Sequence, residues 1–574
     1  MIADGLRRRR RAPGALRQLD RLLPAYGGAS AADKTRLLDE LGQQRFDRAG
    51  ELVLLQRIVC YLSAFPDDAA VYSAARGLAA GFAARVARLP KAQRAPLDDS
   101  GAAGSRTRHF YAVTAARWMQ RRFAGSVDID WSAEGAVDTV TALVTPLLGA
   151  MEAEAADFSA AGLRRWLDVA KGAHGGGDLA WLLAQASRGR DGREFERAFD
   201  AAEVPLAWRL DDRAGISGNA LHVPLAFRGA GMRRASGDAR AAIAQPLRVE
   251  PCSRRTAARL LDVWRAALWS RTRTVFQIEQ PNLDECYLVD LGGGVSFAAI
   301  GVAPQWRSPL EATFGHLLLA NGMPIGYGGF TTLFAQVNTG INVFPEFRGS
   351  EAGFAFEQAL RAMHAITGNS RFIVNPYQFG AGNDEALASG AYWFYYRLGF
   401  RSADGAARAL AEREFTRMRA ERGYRVPVGT LRRLAAGDIH LDLNERAGAE
   451  FFDEAALREL AVGITGAIAG EGAGRRAQAL QQLASRIAGV LGLRPAGWRP
   501  IERRGLAQFA PILAQVEDLA DWSLADRRSL AEIVRLRWAT TEREFIARMR
   551  AHARLRESLA RAARRAGGGR QTGD

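Results

Sequence analysis

Between Asn338 and Arg401 the chain carries two runs whose residue types and spacing suit chemistry. The first reads as a strand from Ile341 to Pro345, a turn from Glu346 to Ser350, and a helix from about Glu351 to Ile366. A strand that stops at a turn and feeds a helix presents unpaired backbone N–H groups at the helix start. Those amides, with the helix dipole, suit a phosphate or pyrophosphate. Arg348 adds a cation there, and Gly349 lets the backbone come close. The second run is a strand, Phe372 to Val374, a polar loop, and an aromatic helix that holds Tyr392, Trp393, Phe394, Tyr395 and Tyr396. The polar stretch Asn375-Pro376-Tyr377-Gln378 leaves that strand where loops commonly carry ligand contacts. Asn375 and Gln378 are therefore candidate substrate contacts, with a role as turn residues as the alternative.

Taken together, the two runs are similar to the core of the GNAT acyltransferase superfamily, over about residues 247–404. Val343-x-Pro345-x-x-Arg348-Gly349 resembles the end of that family's fourth strand and its pyrophosphate loop. The family pattern is an Arg or Gln, a Gly three residues on, and a Gly or Ala two after that. Here those anchors are Arg348, Glu351 and Gly353, so the middle Gly is a Glu. A carboxylate there repels a pyrophosphate unless it points away. Tyr395-x-x-Leu398-Gly399-Phe400 resembles the family's final helix and the strand after it, and Ala391 fits four residues earlier. Asn383 stands further upstream than the family's Asn, because Gln378 to Gly382 lengthens the loop.

The resemblance implies an α+β fold: a mixed-sheet acyltransferase domain, flanked in this chain by largely helical N- and C-terminal regions. It implies an N-acyltransferase that takes its acyl group from acetyl-CoA or another acyl-CoA and passes it to a small-molecule or peptide amine. Amides and side chains of Asn342, Val343, Phe344, Arg348, Gly349, Ser350 and Gly353 would then hold the cofactor. Tyr395 would protonate the leaving thiolate, and Asn375, Gln378 and Asn383 would line the acceptor side. Polarising the thioester carbonyl with backbone amides is oxyanion stabilisation, and an amine acceptor needs a general base. Asp290, Glu285, Glu311 and His316 are the candidates, with no spacing to choose among them. Two other readings stay open. One is a catalytically degenerate binding or scaffold module, with Glu351 closing the site. The other is a transferase of similar fold that uses aminoacyl-tRNA, which the net charge of +16 would suit.

The elements that must position these residues can be read from the pattern of the remaining 574-residue chain. Residues 1–230 read as helical, from helical spacing such as Leu37-Leu38-x-x-Leu41. Pro66-Asp67-Asp68 looks like a helix start, and Leu221 to Phe227 like a short strand. Arg106 to Phe123 reads as an amphipathic helix burying Tyr111, Ala115, Trp118 and Met119, with stacking on single-stranded nucleic acid as the sharper alternative. His174 to Asp178 reads as a loop, since no nucleophile elbow accompanies it. Residues 231–246, rich in Gly, Arg, Ala and Ser, read as a linker.

From Pro246 the texture changes. Strands are expected at Leu247–Val249, Tyr287–Leu291, Val295–Ile300, Phe314–Ala320 and Ile325–Thr332, with turns at Gly292 to Gly294 and Asn321-Gly322, and a helix over Arg254–Trp269. One strand, one helix, several antiparallel strands and then alternating strands and helices is the GNAT order. Residues 405–560 read as helical again, including single helices over 512–519 and 530–555, and 561–574 as a fraying tail.

Composition sets further bounds. Ala312 to Pro345 has no charged residue, but its glycines and turn signal favour buried strands over a membrane span. No secretory signal follows the Arg7 to Arg11 run. Cys60, Cys252 and Cys286 show no metal or redox spacing, and no zinc site follows from them. A reducing, cytoplasmic location is the simple expectation.

Overall fold

The computed structural model describes residues 14–568 apart from 157, 173–175, 186–188, 230, 445–451 and 473. The Arg7 to Arg11 run and His174 lie outside the described residues. The fold is α+β, and the chain forms two compact units. The first comprises residues 1–232, 259–279 and 320–324, and the second residues 233–258, 280–319 and 325–574. No helix among the described residues is long and apolar enough to cross a membrane.

The first unit is mostly helical, as the Leu spacing implies. Its helix Ala69–Ala79 starts at the expected place: the Asp68 side chain accepts from the Val71 N–H at 2.9 Å, a standard N-cap. Asp67 turns inward instead and meets the fully buried Lys34 ammonium at 2.8 Å. The helical reading needs a correction at three places. Strands β1 (Arg106–Phe110), β2 (Val127–Ile129) and β3 (Pro205–Arg209) form a small antiparallel sheet in the order β1-β3-β2. Arg106 to Phe110 is thus a strand, and only Val113–Arg122 is helical. Tyr111, Ala115, Trp118 and Met119 are buried as expected. Arg117 and Arg122 are paired with Glu196 and Asp262, a structural use of the basic face. Leu221 to Phe227 has no regular strand.

The second unit is built on a nine-stranded sheet. Its strands are β4 (Pro281–Asp290), β5 (Val295–Val302), β6 (Ala312–Ala320), β7 (Met323–Leu333), β8 (Gln336–Thr339), β9 (Asn342–Val343), β10 (Arg371–Val374), β11 (Arg401–Ser402) and β12 (Ile439–Asp442). The order across the sheet is β11-β12-β10-β8-β7-β6-β5-β4, with β9 paired to β7. Helix α1 (Arg254–Trp269) precedes the sheet in the chain. Helix α2 (Ala352–Thr367) crosses from β9 to β10, and α3 (Asp384–Ser389) and α4 (Ala391–Arg397) lead from β10 to β11.

The charge-free window from Ala312 to Pro345 becomes β6 to β9. Asn321 and Gly322 have φ of 46° and 78°, the two left-handed positions of a tight hairpin turn. One strand expectation and one linker expectation are corrected. Leu247–Val249 is not a strand; the pairing falls instead on a single bridge between Pro251 and Tyr287. Residues 231–246 contain a helix, Ala239–Ala244. Beyond Arg401, β12 interrupts the helical pattern and inserts between β10 and β11.

The run from Leu530 to Leu555 is three helices rather than one: Leu524–Leu536, Arg543–Ala551 and Ala553–Gly568. The helix preceding them is Pro500–Leu513, so residues 512–519 are not a helix of their own. The last helix also carries the described part of the expected tail. At the first break, Arg537 and Glu542 meet Glu285 of β4 and Arg307 in a cluster with essentially no solvent exposure. Glu542 Oε1 lies 2.7 Å from Arg307 Nε and 3.0 Å from Arg537 Nη1. Glu285 accepts from the Glu542 backbone N–H at 2.6 Å and is 3.4 Å from Arg307. Gly301 is required beside it, since a Cβ there would stand 2.7 Å from Glu285 Oε2.

Burial, and then the Glu542 charge, push the Glu285 carboxyl up from its ordinary 4.5 to about 8. The folded state therefore binds this proton more tightly than the unfolded chain. Its stabilising contribution is complete below about pH 4.5 and is lost as pH rises through about 8. Replacing Glu285 by Gln fixes the neutral form, and should flatten that part of the stability–pH curve. Denaturant midpoints of wild type and Glu285→Gln across this range check it; parallel curves would contradict it.

Candidate functional site

The sequence around Gly340 forces a break in the sheet. Strand β8 pairs in parallel with β10 from Gln336–Arg371 to Asn338–Ile373. Beyond that register Pro376 has no N–H to give and the two strands part. On its other side the chain resumes as β9, where Asn342 and Val343 pair with Tyr327 and Gly326. Pro345 then ends the strand in a short 3₁₀ turn, Pro345–Phe347, and Gly349 takes φ of 81° before α2 begins.

Three side chains converge on the break at Gly340 and Ile341. The Ile341 N–H points to Tyr395 Oη at 3.4 Å. The Gln378 side chain lies over Gly340 so closely that a Cβ there would stand 2.5 Å from its Cδ. His316, on β6, fills the space above Gly328. A Cβ on Gly328 would meet His316 Nε2 at 2.9 Å and the Gly340 carbonyl oxygen at 2.3 Å. Two glycines thus leave room for two polar side chains at one strand break.

The electrostatics follow from burial. His316 is fully buried against Phe297, with ring centroids 5.7 Å apart, and neither ring nitrogen has a hydrogen-bond partner among the described residues. Burial pushes its pKa down to about 3, so the imidazole is neutral. Tyr395 is enclosed by Phe356, Phe379, Phe394 and Phe400. Burial raises its phenol well above the ordinary range, and the Ile341 N–H opposes this only weakly. The protonated phenol can donate a proton at this position, whereas the imidazole, with its pKa so far down, is a weak base.

Other residues singled out by the sequence are placed as follows. Arg348 is exposed and its guanidinium lies 2.5 Å from Glu385. Phe344 is buried on Tyr327, and its N–H is used by the Ile325 carbonyl at 3.0 Å, so it does not point to the break. Asn342 and Gly349 are exposed, while Ser350 Oγ is buried without a partner among the described residues. Asn383 caps α3 by accepting from Ala386 N–H and donates to the Tyr377 carbonyl, which holds the lengthened loop together. Asn375 is exposed, and its carbonyl accepts from the Gln378 N–H. Of the four candidate bases only His316 reaches the break. Asp290 supports the glycine turn through the Gly292 N–H, Glu285 belongs to the buried cluster, and the Glu311 carbonyl accepts from Arg537.

The start of α2 departs most from an open anion site. Glu351 turns inward and is fully buried. Its carboxylate accepts from the Arg233 backbone N–H at 2.9 Å and faces the Arg233 guanidinium at 3.3 Å. Arg233 also donates to the carbonyls of Gly292 and Gly293 and lies over the Phe354 ring at 4.1 Å. Three residues on, Ser236 gives its N–H and hydroxyl to the buried Glu357 carboxylate. Between these clamps Ala235 comes to 3.9 Å of where a Gly353 Cβ would be. The chain from Arg233 to Ser236 therefore covers the first turns of α2. Sequence reasoning missed Arg233 because 118 residues separate it from Glu351, and one Arg of several in a Gly-, Arg- and Ala-rich stretch carries no signal.

No family model matches this chain, and neither a curated protein nor a solved structure is significantly similar to it.

Proposed function

We propose that the second unit is a GNAT-type N-acyltransferase that moves an acyl group from a thioester, such as acetyl-CoA, to an amine. The observation that carries this reading is the strand break at Gly340–Ile341, with the Tyr395 hydroxyl and a buried neutral histidine on it. The element order supports it: an antiparallel run, then β9, α2, a parallel β10, the aromatic α4 and β11. In this reading the donor carbonyl sits at the Ile341 N–H. The amine nitrogen attacks the carbonyl carbon, the C–N bond forms, and the C–S bond breaks. Tyr395 gives its proton to the departing sulfur. The amine reacts in its neutral form and its proton leaves to water, since His316 at the same break is too weak a base to hold it. The test is release of free coenzyme A thiol from acetyl-CoA across a panel of amines; an amine-dependent rate supports the proposal, and none with any amine opposes it.

A second reading draws on the buried Glu351–Arg233 pair. With the start of α2 covered, the donor would be one that places no diphosphate there, such as an aminoacyl-tRNA, or the unit would be a non-catalytic scaffold. Substituting Glu351→Gly releases Arg233 and removes the carboxylate. If the pair is what excludes the diphosphate, coenzyme A affinity should rise at least tenfold by calorimetry. Equal, weak binding by both proteins would remove that explanation and direct attention to RNA, whose binding would fall steeply with salt.

A further inference from the structure

The structure places two of the three cysteines side by side, although 33 residues of sequence stand between them. Pro251 bridges Tyr287 in antiparallel register, so the next residue, Cys252, lies opposite Cys286 at the edge of β4. The Cys252 N–H donates to the Cys286 carbonyl at 2.7 Å, which fixes the two backbones. The two thiols are close enough that each shifts the pKa of the other. Directly opposed residues of an antiparallel pair have Cα atoms about 4.5–5.5 Å apart, inside the range of about 4.4–6.8 Å that a disulfide spans.

Their environments differ in the way a reactive pair requires. Cys252 is partly exposed and Cys286 is buried. Contact with the Cys286 thiol lowers the Cys252 pKa, while the same contact and burial raise that of Cys286. Cys252 is thus the thiol a small oxidant can reach, and Cys286 the one held ready behind it. The register ties this position down further: Ser253 Oγ accepts from the Thr256 N–H at the start of α1, and Arg254 pairs with Asp284 of β4 at 2.7 Å.

We propose that Cys252 and Cys286 form a peroxide-sensitive dithiol, a redox modification site at the junction of α1 and β4. A hydroperoxide is the oxidant. The Cys252 sulfur attacks the peroxide oxygen, the O–O bond breaks, and a sulfenic acid forms with release of water or alcohol. The Cys286 sulfur then attacks the Cys252 sulfur, the S–O bond breaks, a second water leaves, and the disulfide remains. The two thiols are oxidised by two electrons and the peroxide is reduced by two. A thiol reductant reverses the change.

The test uses the whole chain, treated with hydrogen peroxide and then denatured for thiol titration and peptide mapping. The expected result is loss of two of the three thiols, a peptide pair cross-linked through Cys252 and Cys286, and recovery of both with reductant. In Cys286→Ala, a dione trap should capture the Cys252 sulfenic acid in place of the disulfide. In Cys252→Ser, Cys286 should stay reduced. The proposal is overturned if wild-type Cys252 proceeds to sulfinic acid with Cys286 still a thiol, if the cross-links join separate chains, or if neither residue reacts.

Discussion

Replacing Arg307 by Met is expected to destabilise the second unit by about 3–5 kcal/mol, the usual cost of removing one partner from a buried ion cluster. Met keeps the apolar stem but supplies no donors. Arg307 gives hydrogen bonds to the carbonyls of Val302, Arg537, Ala539 and Thr540, and holds Glu542 at 2.7 Å. Without it the Glu542 carboxylate keeps Arg537 alone among the described residues, and those buried carbonyls lose their donor, each at a cost of its own. Since this cluster ties the break after Leu536 to β4 and β5, hydrogen exchange there should speed up together with a fall in the denaturant midpoint. The exposed pair of Arg348 and Glu385 is the control: Arg348→Ala should cost no more than about 1 kcal/mol. A loss under about 1 kcal/mol for Arg307→Met would mean that water reaches the cluster and that its ions are not desolvated.

The second large effect is expected at Tyr395. Removal of a positioned proton donor costs about 10²–10⁴ in rate. Tyr395→Phe should therefore lower kcat for acyl transfer by at least about a hundredfold, with little change in KM for the donor. Packing does not explain such a loss, because Phe preserves the ring contacts with Phe356, Phe379 and Phe400. The hydrogen bond lost to the Ile341 N–H is long, at 3.4 Å, so stability should fall by about 1 kcal/mol at most. Steady-state kinetics beside a melting curve separate the two effects. Unchanged kcat would return Tyr395 to a purely structural role in the aromatic core.

What could be read beforehand was whatever local chemistry specifies. Asn321-Gly322 announces its own turn, the uncharged glycine-punctuated run from Ala312 announces buried strands, and Arg254 to Trp269 announces its helix. Gln378 was legible as a candidate from the polar run that leaves β10, and Tyr395 from the resemblance carried by Tyr395-x-x-Leu398-Gly399-Phe400. The rest depended on distant pairing. Strand β1 was hidden in an arginine-rich stretch whose Thr107 is buried by β3, about a hundred residues on, and by Ser270. The four residues of β12 sit amid helical sequence and become a strand by inserting between β10 and β11. His316 gave no spacing signal; the glycines at 328 and 340 make room for it and Gln378, yet they read equally well as turn or bulge residues. Arg233 with Glu351, and Cys252 with Cys286, are tertiary pairings that no short window contains.

The most direct measurement is thermal unfolding of the purified chain with and without millimolar acetyl-CoA at moderate salt. A ligand at a hundred times its dissociation constant adds roughly 2.7 kcal/mol, enough for a visible rise in Tm. The acyltransferase reading predicts a rise that Arg348→Ala diminishes and Glu351→Gly enlarges. No rise in wild type or in Glu351→Gly would contradict it.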